Sequence, residues 1–147
     1  MAKVFNFRLD PLLKIRTHKK KVAEEAFAHA VNKRLNKENE ITGKEDYFTS
    51  LLKSKSGKVP IIELQHEYYH KNFVKEEIKQ LKLEKVDLIE IEDKKRIALT
   101  EAMKDEKILD KLKEKQKIVY IDEIEKEEQK ILDDIAIELD KNKEKVF

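Results

Sequence analysis

The chain has 147 residues and 44% of them are charged, against about 25% in an ordinary globular domain. The 33 Lys and Arg nearly balance the 31 Asp and Glu, and Ala, Glu, Lys, Leu and Arg together fill about half the chain, as in long helices and coiled coils. Two glycines, two prolines and no cysteine exclude turn-rich sheet folds, disulfide scaffolds, cysteine zinc sites and thiol catalysis. The N-terminal MAKVFNFRLD lacks the apolar core of a secretion leader, and the longest apolar run is Ile118-Val119-Tyr120-Ile121, far below the roughly 20 residues of a membrane span. A protein kept in the cytoplasm is expected. With 39% hydrophobic residues and no Trp, a seam between helices is expected in place of a compact core.

Phe5, Leu9 and Leu12/Leu13 open an apolar stripe at helical spacing, with residues 1–9 as a turn or an extra helix. Asp10 before Pro11 reads as an N-cap with proline in the first helical position. From Leu9 the stripe steps by four and three through Leu13, Arg16, Lys20, Ala23, Phe27, Ala30 and Arg34, then Ile41, Phe48 and Leu51, which predicts a helix over about 10–53. Ser, Gly and Pro cluster over 54–60, a turn. The remaining residues, from Ile61 on, contain no Gly or Pro, which predicts a helix over about 61–145. Val74, Ile78, Leu81, Leu88, Leu99, Ala102 and Leu109 share one heptad register, with Lys85, Glu92, Lys95 and Glu106 at the intervening seam positions. Ile121, Ile124, Glu128, Ile131 and Ile135 follow a second register offset by one residue, so a skip, kink or break is expected near Lys113–Lys117.

Two helices joined by a short turn pack antiparallel. The expected fold is therefore all-α, a single domain over 1–147: a long antiparallel two-helix coiled coil, or helical hairpin, with an overhanging or kinked C-terminal helix. Counted about the turn, residue 10 pairs with about residue 104, and what lies beyond overhangs, meets a partner or folds back. Charge is uneven along the chain. Residues 1–60 hold 14 basic and 7 acidic side chains, net +7, and residues 61–147 hold 19 and 24, net −5. The ends are sharper, with residues 1–21 at net +6 and residues 122–147 at net −5.

His66-Glu67-Tyr68-Tyr69-His70 matches H-E-x-x-H, the helical zinc motif in which the glutamate activates a bound water. A catalytic zinc needs a third protein ligand and a cleft, which a two-helix hairpin does not offer, so no metal, no cofactor and no catalytic residue is assigned. Lys14, Arg16, His18 and Lys19-Lys20-Lys21 form a basic cluster whose bland reading is a solvated helix face. No nucleic-acid motif accompanies it, and nucleic acid is not expected as a partner. Tyr47, Phe48, Tyr68, Tyr69 and Phe73 crowd the two flanks of the turn. They are either a local plug or an exposed patch that a partner covers. One division has Phe48 and Phe73 plugging while Tyr47 and Tyr69 face out.

Phe5-x-Phe7-x-Leu9-x-x-Leu12-Leu13-x-x-Arg16, followed by Glu24-Glu25 and Ala30, resembles the start of the flagellar export protein FliJ family, and the layout of one polar turn followed by a very long helix is similar to that family throughout. The resemblance implies a non-enzymatic component of the flagellar type III export apparatus, built as a coiled coil similar to the central stalk of rotary ATPases. It implies three partners: the export ATPase hexamer, the cytoplasmic domain of the export gate membrane protein, and export chaperones. It also implies a cytoplasmic location, peripheral to the inner-membrane apparatus and without membrane insertion. Carried onto this sequence, gate binding falls on Tyr47, Tyr69 and Phe73, with Ile41 as a further candidate. The competing expectation is a generic coiled-coil scaffold, homodimeric and unrelated to secretion.

Overall fold

The computed structural model describes residues 4–53 and 57–146, with side chains through residue 144. Two helices, α1 (Asp10–Leu51) and α2 (Ile61–Val146), pack against each other as an all-α antiparallel hairpin. The packing resolves into two compact units, one made of Lys19–Ala102 and the other of Met1–His18 with Met103–Phe147.

Helix α1 begins at Asp10, as expected, but its cap lies one residue earlier than the sequence implies. The Leu9 carbonyl accepts from Leu13 N–H at 2.9 Å, so Leu9 is the cap and Asp10 lies inside the first turn. The Asp10 carboxylate instead accepts from Lys113 Nζ at 3.1 Å on α2 and lies 3.7 Å from Lys14 Nζ. At the other end Leu52 N–H is shared between the carbonyls of Phe48 (3.1 Å) and Thr49 (3.2 Å), a tightened last turn. Gly57 then takes φ +126°, a conformation that L side chains rarely adopt. Pro60 caps α2 through its carbonyl, which accepts from Leu64 N–H at 3.2 Å.

In the Lys19–Ala102 unit the seam follows the expected register. Ala30, Ile41, Val74 and Ile78 are buried, and Phe27, Leu81, Leu88 and Leu99 are half-buried. Burying an aliphatic side chain of this size contributes about 1.5–3 kcal/mol, and ion pairs across the seam accompany this short list of residues. Arg34 pairs with the buried Glu92 across the seam. Lys37–Glu84 (2.9 Å), Lys44–Glu77 (3.1 Å), Lys82–Glu45 (3.0 Å) and Lys85–Glu38 (3.4 Å) also bridge the helices. Lys95 was placed in the seam but is exposed; its neighbour Arg96 instead lays its guanidinium 5.5 Å from the Phe27 ring centroid.

In the other unit Phe7, Leu13 and Leu109 form a small buried cluster against which Phe5 and Leu112 pack. Residues 4–7 are not helical; they lie along α2, and Phe5 meets Tyr120 with ring centroids 5.5 Å apart. Arg16 donates to the Asp105 carbonyl at 2.9 Å. The aromatic and arginine positions of the N-terminal motif thus close this end of the hairpin. Asp10 lies opposite Lys113, so the expected pairing of residue 10 with about 104 is corrected by some two and a half turns. Helix α2 runs without interruption through Lys113–Lys117, opposite the first turn of α1, so of the skip, kink or break expected there the break is corrected. Beyond Ile124 the side chains are exposed. Among the described residues, no helix is long and apolar enough to cross a membrane.

Candidate functional site

The offset in pairing creates the site. Ser50 and Leu51, the last residues of α1, share a cleft with Glu67, His70 and Lys71 of α2. The residues of α2 before Glu67 therefore extend past the last turn of α1 and have no helix opposite them. Ile61, Ile62 and Leu64 are exposed for this reason, and Leu52 at the start of the connection is exposed as well.

Of the residues assigned to gate binding, Tyr69 (70% exposed) and Phe73 (61%) lie four apart on α2, one turn of helix. Ile62 stands seven residues before Tyr69 and extends the same stripe. The buried Val74 and Ile78 mark the side of α2 that meets α1; by helical rotation Tyr69 lies well away from it, while Phe73 stands at its edge and lines a groove with Tyr47. Tyr47 is on α1, 42% exposed, with its hydroxyl 2.8 Å from His70 Nε2 and its ring edge-on to the imidazole at 5.8 Å. Ile41 is placed elsewhere: it is 7% exposed and packed in the seam. Phe48 is half-buried while Phe73 is outward, so of the two proposed plug residues only Phe48 turns inward. Tyr68 and Tyr69 pack edge-to-face at 5.9 Å.

Between the helices, a groove of about 600 Å³ is lined by Tyr47, His70 and Phe73 over Gly43 and Val74, with Lys44 and Glu77 at its side. A Cβ built at Gly43 meets nothing within 4 Å, so the missing side chain leaves the groove open. An aromatic floor with a charged edge suits an apolar side chain from a partner segment, with hydrogen bonds at the rim. Sequence reasoning missed Gly43, Ile61, Ile62 and Leu64. The signal for Ile62 was present in its seven-residue step to Tyr69.

A family model for the flagellar FliJ protein matches residues 5–145. The chain belongs to the FliJ family. FliJ proteins are components of the flagellar export apparatus, and the match sets aside the reading of a scaffold unrelated to secretion. No curated protein and no solved structure matches the chain.

Proposed function

We propose that this FliJ chain is a non-catalytic link within the export apparatus, cytoplasmic and peripheral to the inner membrane. It engages the export ATPase hexamer, contacts the cytoplasmic domain of the export gate through its aromatic tip, and escorts export chaperones. The gate contact rests on one observation: Ile62, Tyr69 and Phe73 form an exposed stripe on the first turns of α2, where α1 is ending, with Tyr47 beside it. An exposed aromatic cluster that a partner desolvates is the usual anchor of an interface.

Replacing Tyr47, Tyr69 and Phe73 together by alanine tests the assignment. Tyr69 and Phe73 are exposed, so each of those changes alters stability by about 0.5 kcal/mol or less; Tyr47→Ala also removes the hydrogen bond to His70, worth about 1 kcal/mol, and helicity by circular dichroism is retained. Binding to the isolated gate domain, measured by calorimetry, is lost. A triple variant that binds as tightly as the parent sinks the assignment.

A further inference from the structure

The turn end of the Lys19–Ala102 unit carries an apolar surface that the aromatic groove does not account for. Leu52 (56% exposed), Ile61 (75%) and Leu64 (52%) stand with Ile62 (68%) on the connection and the first turn of α2. These side chains lie past the last turn of α1, so the hairpin itself does not cover them. Large aliphatic residues clustered in this way mark a contact surface, whereas the same residues scattered singly would not.

The charge around them has one sign. Lys53 and Lys58 are exposed, and no Asp or Glu occurs between Asp46 and Glu63. Glu63 and Glu67 are the nearest carboxylates on α2. They precede the buried Val74 by eleven and seven residues, so helical rotation places both on its side of the helix. The opposite side runs through Ile61, Gln65, Tyr68, Tyr69 and Asn72, all exposed and uncharged, and meets its first carboxylate at Glu76.

Lysines around an aliphatic end, with tyrosines behind it, match the layers of a bilayer surface. Headgroup phosphates meet the ammonium groups, acyl chains meet the aliphatic side chains, and phenol rings sit at the boundary. A folded protein would need a cleft shaped to enclose side chains that project from the end of a hairpin. A fluid anionic surface needs only the apolar area and the single sign of charge.

We propose that the turn end of the hairpin docks on an anionic lipid surface, with Lys53 and Lys58 on headgroup phosphates and Leu52, Ile61 and Leu64 at the acyl boundary. The contact is interfacial; no described helix is long and apolar enough to cross a bilayer. The inference goes beyond the gate contact and does not depend on it. Tyr47 and Phe73 line the groove beside α1, whereas Leu52 and Ile61 belong to the end of the hairpin.

Flotation of the full chain with vesicles tests it. The parent floats with vesicles of phosphatidylglycerol mixed with phosphatidylcholine, not with phosphatidylcholine alone, and added salt weakens the binding. Lys53→Glu with Lys58→Glu weakens it by about 30-fold or more, at roughly fivefold for each lysine removed. Leu52→Ser with Ile61→Ser and Leu64→Ser keeps the lysines and weakens it by roughly tenfold or more. All five positions are exposed, and circular dichroism checks helicity. Neither variant changes binding to the isolated gate domain, and Tyr47→Ala with Phe73→Ala leaves flotation unchanged. A parent that ignores the anionic vesicles, or floats equally with neutral ones, overturns the proposal. So does either tip variant floating like the parent. A serine variant that loses the gate domain while still floating assigns this surface to a protein partner, and the proposal falls on that result too.

Discussion

Glu92 is 5% exposed beside the buried apolar side chains of the seam, and it is held by Arg34 from α1 and by Arg96 one turn further along α2. A buried carboxylate is tolerated only when paired, and removing one partner leaves the other uncompensated. Glu84, at 43% side-chain exposure, makes a comparable cross-helix pair with Lys37 in a setting where water screens it. Glu92→Ala is therefore expected to lower the thermal midpoint clearly more than Glu84→Ala, as read by circular dichroism melts. Equal effects would mean that burial does not decide the strength of these pairs.

Several carboxyls are held below their ordinary range: Asp10 by its hydrogen bond from Lys113, Glu38 by Arg34 and Glu84 by Lys37. A depressed folded value means that the stabilisation is complete above the unfolded value, near pH 4, and is lost as pH falls below it. The Lys37 ammonium is shifted the other way, upward, by Glu84, and its contribution is lost only as pH rises beyond the ordinary lysine value. Thermal midpoints are expected to be level from about pH 5 to 9 and to fall below about pH 4. A midpoint that declines steadily between pH 7 and pH 5 would contradict this.

At the scale of the helix, Gly43 stands in the interior of α1, where glycine costs about 1 kcal/mol relative to alanine. Its Cβ space is empty, so Gly43→Ala is expected to raise the thermal midpoint. The same methyl enters the groove between Tyr47 and Phe73, and partner binding at the tip is expected to weaken as stability rises. Melting and gate-domain titration on one variant separate the two effects. A variant that gains stability and binds unchanged would show that the groove is not used.

The seam of both helices was legible in the sequence. Ile41, Val74, Ile78 and Leu109 fall where three-and-four spacing puts them, and even Arg34 and Glu92 were placed in the stripe as polar members. Lys95 failed because a heptad register does not show which of two adjacent basic residues turns toward an aromatic neighbour. Phe7 was missed because residues before the helix follow no helical period. Periodicity reports which face is apolar, but the offset of one helix along the other depends on the connection, and that offset makes the tip. The aromatic cluster was visible by composition, and the expected division holds for an inward Phe48 and an outward Tyr69; the outward Phe73 and the hydrogen bond of Tyr47 were not visible, since each depends on where α1 stops.

For the whole chain, 42 residues of α1 face 86 residues of α2, so a long part of α2 gains nothing from its own partner helix. The side chains of residues 126–144 are exposed, and a deletion from residue 126 onward tests what this arm contributes. At dilute concentration it is expected to shift the thermal midpoint by less than about 2 °C, as exposed positions contribute little. A large drop on melting would show that the arm supports the hairpin in a way its exposure does not suggest.

The order of contacts along the hairpin also orders its assembly in time. Partners beside the turn are 23 residues apart in Tyr47 and His70; the separation grows to 33 at Lys44–Glu77, 58 at Arg34–Glu92 and 103 at Asp10–Lys113. Closing the widest of these loops directly costs about 1.3 kcal/mol more chain entropy than closing the narrowest. Zipping outward from Gly57, with the Phe7 clasp fastening last, is therefore the expected order. On a ribosome, α1 waits without a partner until the first half of α2 emerges, and the acidic arm is made only after the hairpin it extends has begun to close.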